Sequence, residues 1–300
     1  MAPIGCEDSQ YMNDRLQRAV ERRPVASFFV LAFAFTWTFN GIVIGLDMEP
    51  SWTAWGIGIV GTFGPTVAAA IVLWLTGGDL RTWFDQLLLW RVRPRWYVAT
   101  LGIPLLILAG TTVAYVALGG PFDPAQAPAV SMLVIGLVLA SIFGSFQEEL
   151  GWRGFAQPVM QERYGALGAS VLIGVVWGLW HLPLFFSPAA PHADWTLLNQ
   201  VLYFPSIVAM SVILAWIYNG SGGSVLLVTL GHAAINAWTM LVPIDAEVAI
   251  VDGAVDEGVV TLLVVPQMSL LILVAVVIAA VFGRRLASGP IPGPERAGLD

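Results

Sequence analysis

The chain has 300 residues, of which 57% are apolar and only 11% are charged, and its formal net charge at pH 7 is −7. Together with a mean hydropathy of +0.79, this composition excludes an ordinary soluble fold, and the negative charge argues against a nucleic-acid-binding protein. A single cysteine, Cys6, excludes a disulfide framework and a cysteine metal cluster. The sequence therefore predicts an all-α, polytopic integral membrane helical bundle.

Eight apolar segments are long enough to cross about 30 Å of hydrocarbon as helices. In chain order they lie near residues 26–46, 54–75, 96–118, 130–153, 166–186, 196–218, 224–242 and 259–282. The second contains Gly64-Pro65, which predicts a kink because proline has no N–H to donate.

The sequence divides into three parts. Residues 1–25 are predicted to form a cytoplasmic N-terminal tail, disordered over its first ten residues. Residues 26–283 are predicted to form the transmembrane helical domain. Residues 284–300 are rich in Pro and Gly, and they are predicted to form a disordered cytoplasmic tail.

An amphipathic segment separates the second and third spans. Its apolar side chains alternate with Arg and Asp, a pattern that predicts a helix lying in the membrane interface. These apolar residues are Leu80, Trp83, Phe84, Leu87, Leu88 and Trp90.

The charged residues predict the orientation of the spans. All 13 basic residues are arginine: Arg15, Arg18, Arg22, Arg23, Arg81, Arg91, Arg93, Arg95, Arg153, Arg163, Arg284, Arg285 and Arg296. The alternate loops carry only acids: Asp47, Glu49, Asp123, Asp194, Asp245, Glu247, Asp252, Asp256 and Glu257. Because cytoplasmic loops hold the Arg excess, both termini are predicted to be cytoplasmic, in a protein of the cell membrane.

The segment S-F-Q-E-E-L-G-W-R, residues 145–153, places two carboxylates and a guanidinium at the end of an apolar run. Each ionisable group deep in a bilayer costs about 2.5–3.5 kcal/mol, so such groups usually serve a function. Glu149 and Arg153 are four residues apart and share a helix face, whereas Glu148 points about 100° away. Glu148 is therefore free to act on water, unless all three residues form only a polar clasp between helices.

Two later spans carry histidines. W-G-L-W-H-L-P places Trp177 and His181 on one helix face, and Pro183 predicts a bend beside His181. G-H-A-A-I-N places His232 and Asn236 one turn apart. Each pair alone could be an interhelical hydrogen bond, but together with the glutamates they are suited to activating a water and stabilising an oxyanion.

The order of these motifs resembles a known family. E-E-x-x-x-R, then an aromatic residue three positions before His, then His-x-x-x-Asn resembles the CPBP intramembrane proteases, which include type II CAAX prenyl endopeptidases and bacteriocin-processing or immunity proteins. The matching region is residues 126–238. The family usually has Phe where Trp177 stands, and we expect this difference to alter packing more than chemistry.

The resemblance implies a role for each motif residue. It makes Glu148 and His181 the pair that binds and activates the hydrolytic water. It assigns His232 and Asn236 to oxyanion stabilisation or a metal-like site, and Glu149 with Arg153 to support. His192 lies in a loop and has no evident task.

The residues permit a metal-dependent or a metal-free mechanism. Glu148, His181 and His232 would make an acceptable Zn²⁺ set with water as the fourth ligand, although H-E-x-x-H is absent. In the metal-free mechanism, Glu148 deprotonates the water that His181 positions. We favour the metal-free mechanism.

The depth of the two motifs limits the helix boundaries. If the fourth span ended at Arg153, Glu148 would lie about 7 Å from the membrane surface. If the fifth span began at residue 166, His181 would lie about 22 Å from that surface, and the two side chains could not meet. We therefore predict that the first motif helix continues to Tyr164 and that the fifth span begins nearer Ser170. The site is predicted to lie in the cytoplasmic half of the membrane and to open to the cytoplasm.

The predicted function is an intramembrane endopeptidase that cleaves a membrane-associated or prenylated protein or peptide. Two alternatives belong to other classes. One is a non-catalytic immunity or scaffold protein of the same fold. The other is a proton-coupled transporter that uses the buried carboxylates.

Overall fold

The computed structural model describes residue 15 and residues 17–238, 241–251 and 254–299. Cys6 and the predicted disorder of the first ten residues therefore lie outside the described residues. The helices are α1 Pro24–Gly45, α2 Trp52–Gly61, α3 Gly64–Thr76, α4 Leu80–Asp85, α5 Pro94–Ala117, α6 Val130–Ala140, α7 Phe146–Gly151, α8 Gln157–Trp180, α9 Leu197–Gly220, α10 Val225–Trp238, α11 Ala246–Ala249 and α12 Glu257–Phe282. Two short strands, β1 Ile250–Val251 and β2 Ala254–Val255, pair antiparallel.

Each of the eight predicted spans falls on helical structure. Among the described residues, six helical stretches are long and apolar enough to cross a membrane. One of them, Val130–Phe186, has 57 residues and contains both the fourth and the fifth predicted spans. The seventh corresponds to the shorter apolar helix α10. The predicted all-α polytopic bundle is confirmed.

Local sequence signals explain several helix boundaries. Pro24 and Pro94 stand at the first position of α1 and α5, where a missing N–H costs no helical hydrogen bond. Ser51 caps α2 because its side chain accepts a hydrogen bond from the Ala54 N–H. The second span is divided into α2 and α3 directly before Gly64-Pro65, where the sequence predicts a kink.

The first motif helix is continuous from residue 130 to residue 164. α6, α7 and α8 are joined by two π-helical turns, Ser141–Ser145 and Trp152–Ala156, so the helix passes Arg153 as predicted. Gly165 then takes φ 70° and ψ 163°, a backbone conformation that favours glycine, and reverses the chain within one residue. The fifth span therefore begins directly after Gly165, and the prediction that it begins nearer Ser170 is wrong.

The reversed part of α8 packs closely on α9. A Cβ on Gly174 would lie 2.7 Å from the Cα of Val208, so only glycine permits this approach. The Ser211 hydroxyl donates a 2.7 Å hydrogen bond to the Ser170 carbonyl oxygen. Small residues thus let two backbones meet, which is a common means of helix association in membranes.

The C-terminal segment is ordered over its described residues, so the prediction of a disordered tail is wrong. Leu286 and Ala297 are fully buried. The Asp79 N–H donates to the Gly298 carbonyl oxygen at 2.8 Å, and the Gln161 side chain donates to the Pro292 carbonyl oxygen. These bonds satisfy the backbone of a segment whose composition alone is typical of disorder.

The predicted interfacial helix is present but short, as α4 followed by the 3₁₀ turn Gln86–Leu88. Trp83 is buried, and its Nε1 donates to the Leu150 carbonyl oxygen at 3.0 Å. Phe84 and Leu88 remain exposed. One face of the segment therefore packs against the first motif helix, and the apolar side chains of its other face are exposed.

Candidate active site

The turn at Gly165 brings the first two motifs to one depth. Glu148 lies 17 residues before Gly165, and His181 lies 16 residues after it. At about 1.5 Å per residue, both side chains are about 24–26 Å along their helices from the turn. The helical hairpin therefore removes the depth mismatch found from the sequence.

Glu148 and Trp177 are joined across this hairpin. The Trp177 Nε1 donates a 2.7 Å hydrogen bond to Oε2 of Glu148, whose side chain is almost completely buried. Because indole is only a donor and a carboxylate accepts two or more bonds, Oε1 of Glu148 remains available. Trp177 therefore contacts the candidate base through its polar atom, and whether this contact affects chemistry as well as packing is tested by the substitution below.

We expect Trp177→Phe to lower kcat/KM for peptide cleavage by about 10- to 100-fold. The reason is the loss of a hydrogen bond to a charged group, typically about 1.5–3 kcal/mol. Trp216→Phe is the matched control, because within the described part of the chain the Trp216 Nε1 has no hydrogen-bond partner. Equal rates for the two variants, measured with a peptide substrate in detergent, would show that the Trp177 bond has no catalytic effect.

His181 ends the helix that carries Trp177. Its Nδ1 lies 3.0 Å from the Trp177 carbonyl oxygen, which can only accept, so Nδ1 carries the proton. In the neutral ring, Nε2 then has a free lone pair. Pro183 follows within the 3₁₀ turn Leu182–Phe186, so the helix stops beside His181 as the predicted bend requires.

Glu149 forms a buried cluster with Arg153 and His232, which both contact its carboxylate. Nη1 of Arg153 lies 2.9 Å from each oxygen of Glu149, and Nδ1 of His232 lies 2.8 Å from Oε1. Glu149 and Arg153 are fully buried and His232 nearly so. The Arg153 guanidinium also lies over the Trp177 ring, 4.7 Å from its centroid. The cluster thus fixes the helix turn that presents Glu148.

A cavity of about 570 Å³ connects the polar groups that face away from this cluster. Its lining includes Glu148, His181 and Asn236, one residue from each of the three sequence motifs. His232 is not part of this lining, and its Nδ1 is engaged by Glu149. The structure therefore brings Glu148, His181 and Asn236 to one space and places Glu149, Arg153 and His232 behind it.

Sequence reasoning gave no role to five polar residues of the cavity, Thr36, Asn40, Thr62, Ser187 and His192. Thr36 and Asn40 line it from α1, and His192 lines it from the loop after the fifth span. The available signal for α1 was an Asn one turn from a Thr inside an apolar span. His192, which had no evident task in the sequence, packs against Trp195 with ring centroids 4.5 Å apart. Burial lowers the pKa of His192 to about 4, so its ring is neutral near pH 7.

The lining of the cavity lies to one side of Glu148. From Glu148 it extends to Ala54 at the start of α2 and to residues 189–192 after the fifth span. On the opposite side of Glu148, Trp152 and Phe155 are fully buried and pack against the Phe28 ring. The lining thus lies between Glu148 and the start of α2, and the opening of the site to the cytoplasm stays a prediction.

The side chains do not form the predicted metal set. Among the described residues, no group of three or more His, Cys, Asp or Glu side chains is arranged to hold a metal ion. Glu148 and His181 share the cavity, but His232 points its Nδ1 at Glu149 instead of joining them. The arrangement offers a polar pair and an amide around one shared cavity.

Comparison with known proteins adds an independent observation on the same segment. Residues 130–238 match the family model for type II CAAX prenyl endopeptidase, Rce1-like. The family resemblance drawn from the motifs is confirmed for this segment. The Rce1-like segment contains Glu148, His181 and Asn236, as well as the supporting cluster around Glu149.

A curated relative is also similar to part of the chain. The chain is 35% identical over 124 residues to a protein of Methanococcus maripaludis named CAAX prenyl protease 2. The aligned region covers 40% of this chain and 44% of that relative, so it spans less than half of either protein. The similarity thus concerns part of the chain rather than the whole bundle.

Proposed function

We propose that the chain is an intramembrane endopeptidase that hydrolyses a peptide bond in a membrane-associated or lipid-modified protein or peptide. The observation that supports this function is the common cavity of Glu148, His181 and Asn236 within the Rce1-like segment. A carboxylate, a neutral imidazole and an amide around one space are the groups that peptide hydrolysis by an activated water requires.

In the proposed mechanism, a water donates one hydrogen to Oε1 of Glu148 and the other to Nε2 of His181. Trp177 holds Oε2 of Glu148, and the Trp177 carbonyl oxygen holds Nδ1 of His181, so both acceptors are fixed before the substrate arrives. Glu148 takes the proton as the water oxygen attacks the substrate carbonyl carbon. The same proton then passes from Glu148 to the leaving amine.

Asn236 is the proposed donor to the oxyanion. Its side chain is exposed to the cavity and carries an amide NH₂ group. His232 was predicted to share this role, but a neutral His232 that donates from Nδ1 to Glu149 has only an acceptor at Nε2. We therefore assign His232 to the support of Glu149, together with Arg153.

Cleavage is expected to survive removal of divalent metals, because the described carboxylates and imidazoles do not form a three-donor set. The measurement is kcat/KM of purified protein before and after dialysis against a chelator, with metal content determined in parallel. Should activity fall with the metal content and return on addition of Zn²⁺, Glu148, His181 and His232 would have to rearrange into a metal site.

The function is tested with purified protein in detergent and a peptide whose C-terminal CAAX cysteine is farnesylated. The same peptide without the lipid, and a membrane-spanning peptide without a CAAX sequence, complete the set. We expect a new peptide terminus, detected by mass spectrometry, with at least one of the lipid-associated peptides. Absence of hydrolysis with all three would instead favour the non-catalytic membrane protein.

A further inference from the structure

Glu148 lies on a short α-helical segment between two π-helical turns. α7 has six residues, and the turns Ser141–Ser145 and Trp152–Ala156 adjoin it at either end. Such turns interrupt the regular hydrogen-bond pattern of a helix and are frequent at functional sites. The direction of the Glu148 side chain therefore depends on the contacts that neighbouring helices make with α7.

The two residues adjacent to Glu148 in the chain flank it on the helix surface. Successive residues of a helix are about 100° apart, so Gln147 and Glu149 point to opposite sides of Glu148. Glu149 is bonded to Arg153 and His232. Gln147, on the other side, is also fully buried. Its contacts are the part of α7 that the proposed mechanism has not used.

Gln147 contacts the interruption of the second span, here called the α2–α3 turn and defined as residues 61–66. Its Nε2 donates a 2.9 Å hydrogen bond to Oγ1 of Thr62. The Thr62 hydroxyl itself donates to the Ile59 carbonyl oxygen at 2.7 Å, so it must accept from Gln147. The Thr66 hydroxyl donates to the main-chain carbonyl oxygen of Gln147. Two hydrogen bonds therefore join Gln147 to this turn.

The α2–α3 turn is held by contacts on both of its sides. Oγ1 of Thr36 on α1 donates to the Gly61 carbonyl oxygen at 2.7 Å. On the other side Pro65 packs against Gly151, where a Cβ would lie only 2.5 Å from the Pro65 Cβ. Gln147 is therefore bonded to a segment that the surrounding helices fix in place.

The Gln147 amide is only partly hydrogen-bonded. Within the part of the chain that the structure describes, its Oε1 is buried and has no hydrogen-bond partner. A buried polar atom without a partner destabilises a fold, so an apolar side chain of the same length would serve stability as well or better. The polar side chain at this position is therefore suited to a role other than stability.

We propose that Gln147 is a positioning residue for Glu148. Its hydrogen bonds to the α2–α3 turn hold the helix turn that directs the Glu148 carboxylate at the hydrolytic water. Thr62 also lines the cavity, so the Gln147–Thr62 bond lies at the cavity wall. This inference rests on the proposed peptidase function, and it adds a residue that lies outside the three sequence motifs.

The main test compares Gln147→Met with Gln157→Met. Methionine is apolar and of similar length, so each substitution removes an amide and largely keeps the volume. Gln157 is the matched control, because it lies on the same continuous helix, is fully buried and, among the described residues, also has an unpartnered Oε1. Its Nε2 donates to Gln161 and to the Ala166 carbonyl oxygen beside the turn at Gly165, away from the cavity lining.

We expect Gln147→Met to lower kcat for peptide cleavage by about 10- to 100-fold with KM unchanged, since a displacement of about 1 Å at a reacting group can cost about 100-fold. The midpoint of its thermal unfolding in detergent should not fall. Gln157→Met should keep the wild-type kcat per folded molecule. A kcat that falls only in proportion to the folded fraction, or falls equally in both variants, overturns the proposal.

Substitutions of Thr62 test the same hydrogen bond from its other side, including the case in which Gln147→Met does not fold. Thr62→Val keeps the shape of the side chain and removes the hydroxyl, whereas Thr62→Ser keeps the hydroxyl. We expect kcat of Thr62→Ser to be about tenfold or more above that of Thr62→Val. Equal kcat values for these two variants overturn the proposal.

The two proposals fail with different results. Wild-type protein that cleaves none of the peptides in detergent would contradict the peptidase function and this inference with it. Wild-type cleavage together with an unchanged kcat in Gln147→Met would overturn the role of Gln147 alone and leave the peptidase function intact.

Discussion

Replacing Glu148 by Gln is expected to lower kcat/KM for peptide cleavage by about 10²–10⁴-fold, the usual contribution of general acid–base catalysis. The amide cannot take a proton from water, although its oxygen can still accept the hydrogen bond from Trp177 Nε1. The fold should therefore persist while the rate falls. The measurement is the initial cleavage rate of the farnesylated peptide at matched protein concentrations in detergent.

Glu162→Gln is the matched control for this substitution. Glu162 lies on the same continuous helix, but its side chain is exposed beyond the buried cluster. This variant is expected to cleave at the unchanged rate. If Glu148→Gln also keeps its rate while the folded fraction is the same by size-exclusion chromatography, Glu148 is not the base.

Arg153→Met is expected to lower the free energy of unfolding by about 3–5 kcal/mol, the typical effect of removing one partner from a buried ion pair. Arg153 and Glu149 are both fully buried, and both oxygens of Glu149 accept from Nη1 of Arg153 at 2.9 Å. Methionine is apolar and of similar length, so the main change is a buried carboxylate that loses its guanidinium partner and keeps only the bond to His232. The measurement is denaturant-induced unfolding in detergent.

The double variant Arg153→Met with Glu149→Gln distinguishes this cause from lost packing. With the carboxylate removed, the double variant should be more stable than Arg153→Met alone, because the two residues form one pair. Arg163→Met, at an exposed position ten residues further along, is the surface control and should change stability by less than about 0.5 kcal/mol. A double variant less stable than both single variants contradicts the proposed pairing.

The motif residues could be predicted from the sequence because ionisable groups are rare in apolar spans. Glu148, Glu149 and Arg153 stand out against uncharged surroundings, and their spacing on a helix correctly predicted that Glu149 pairs with Arg153 while Glu148 points elsewhere. The required equal depth of Glu148 and His181 also predicted the extended helix. Each of these conclusions depended only on helix periodicity and rise.

The remaining features depend on contacts between segments distant in the chain. Sequence spacing could not show that Trp177 donates to Glu148 or that His232 turns toward Glu149, because both depend on how helices are rotated against each other. Similarly, the C-terminal tail has a composition typical of disorder, and its order depends on partners such as Asp79. A turn at one glycine, Gly165, also moved the start of the fifth span.

The position of the cavity also depends on contacts between segments that are distant in the chain. Arginine placement alone predicts which end of the bundle is cytoplasmic, but it does not predict where the helices leave space. That space depends on α1, α2 and the loop after the fifth span, none of which carries a recognisable motif. The lining of the cavity therefore followed from packing and not from a sequence motif.

The central claim is that Glu148 and His181 act on one water in one cavity. It is tested most directly by a double-mutant cycle on kcat/KM with Glu148→Gln, His181→Asn and the double variant. Residues that act as a unit lose activity non-additively, so the double variant should be within about threefold of the slower single variant. Losses that multiply in the double variant would show that the two residues act independently and would contradict a shared water.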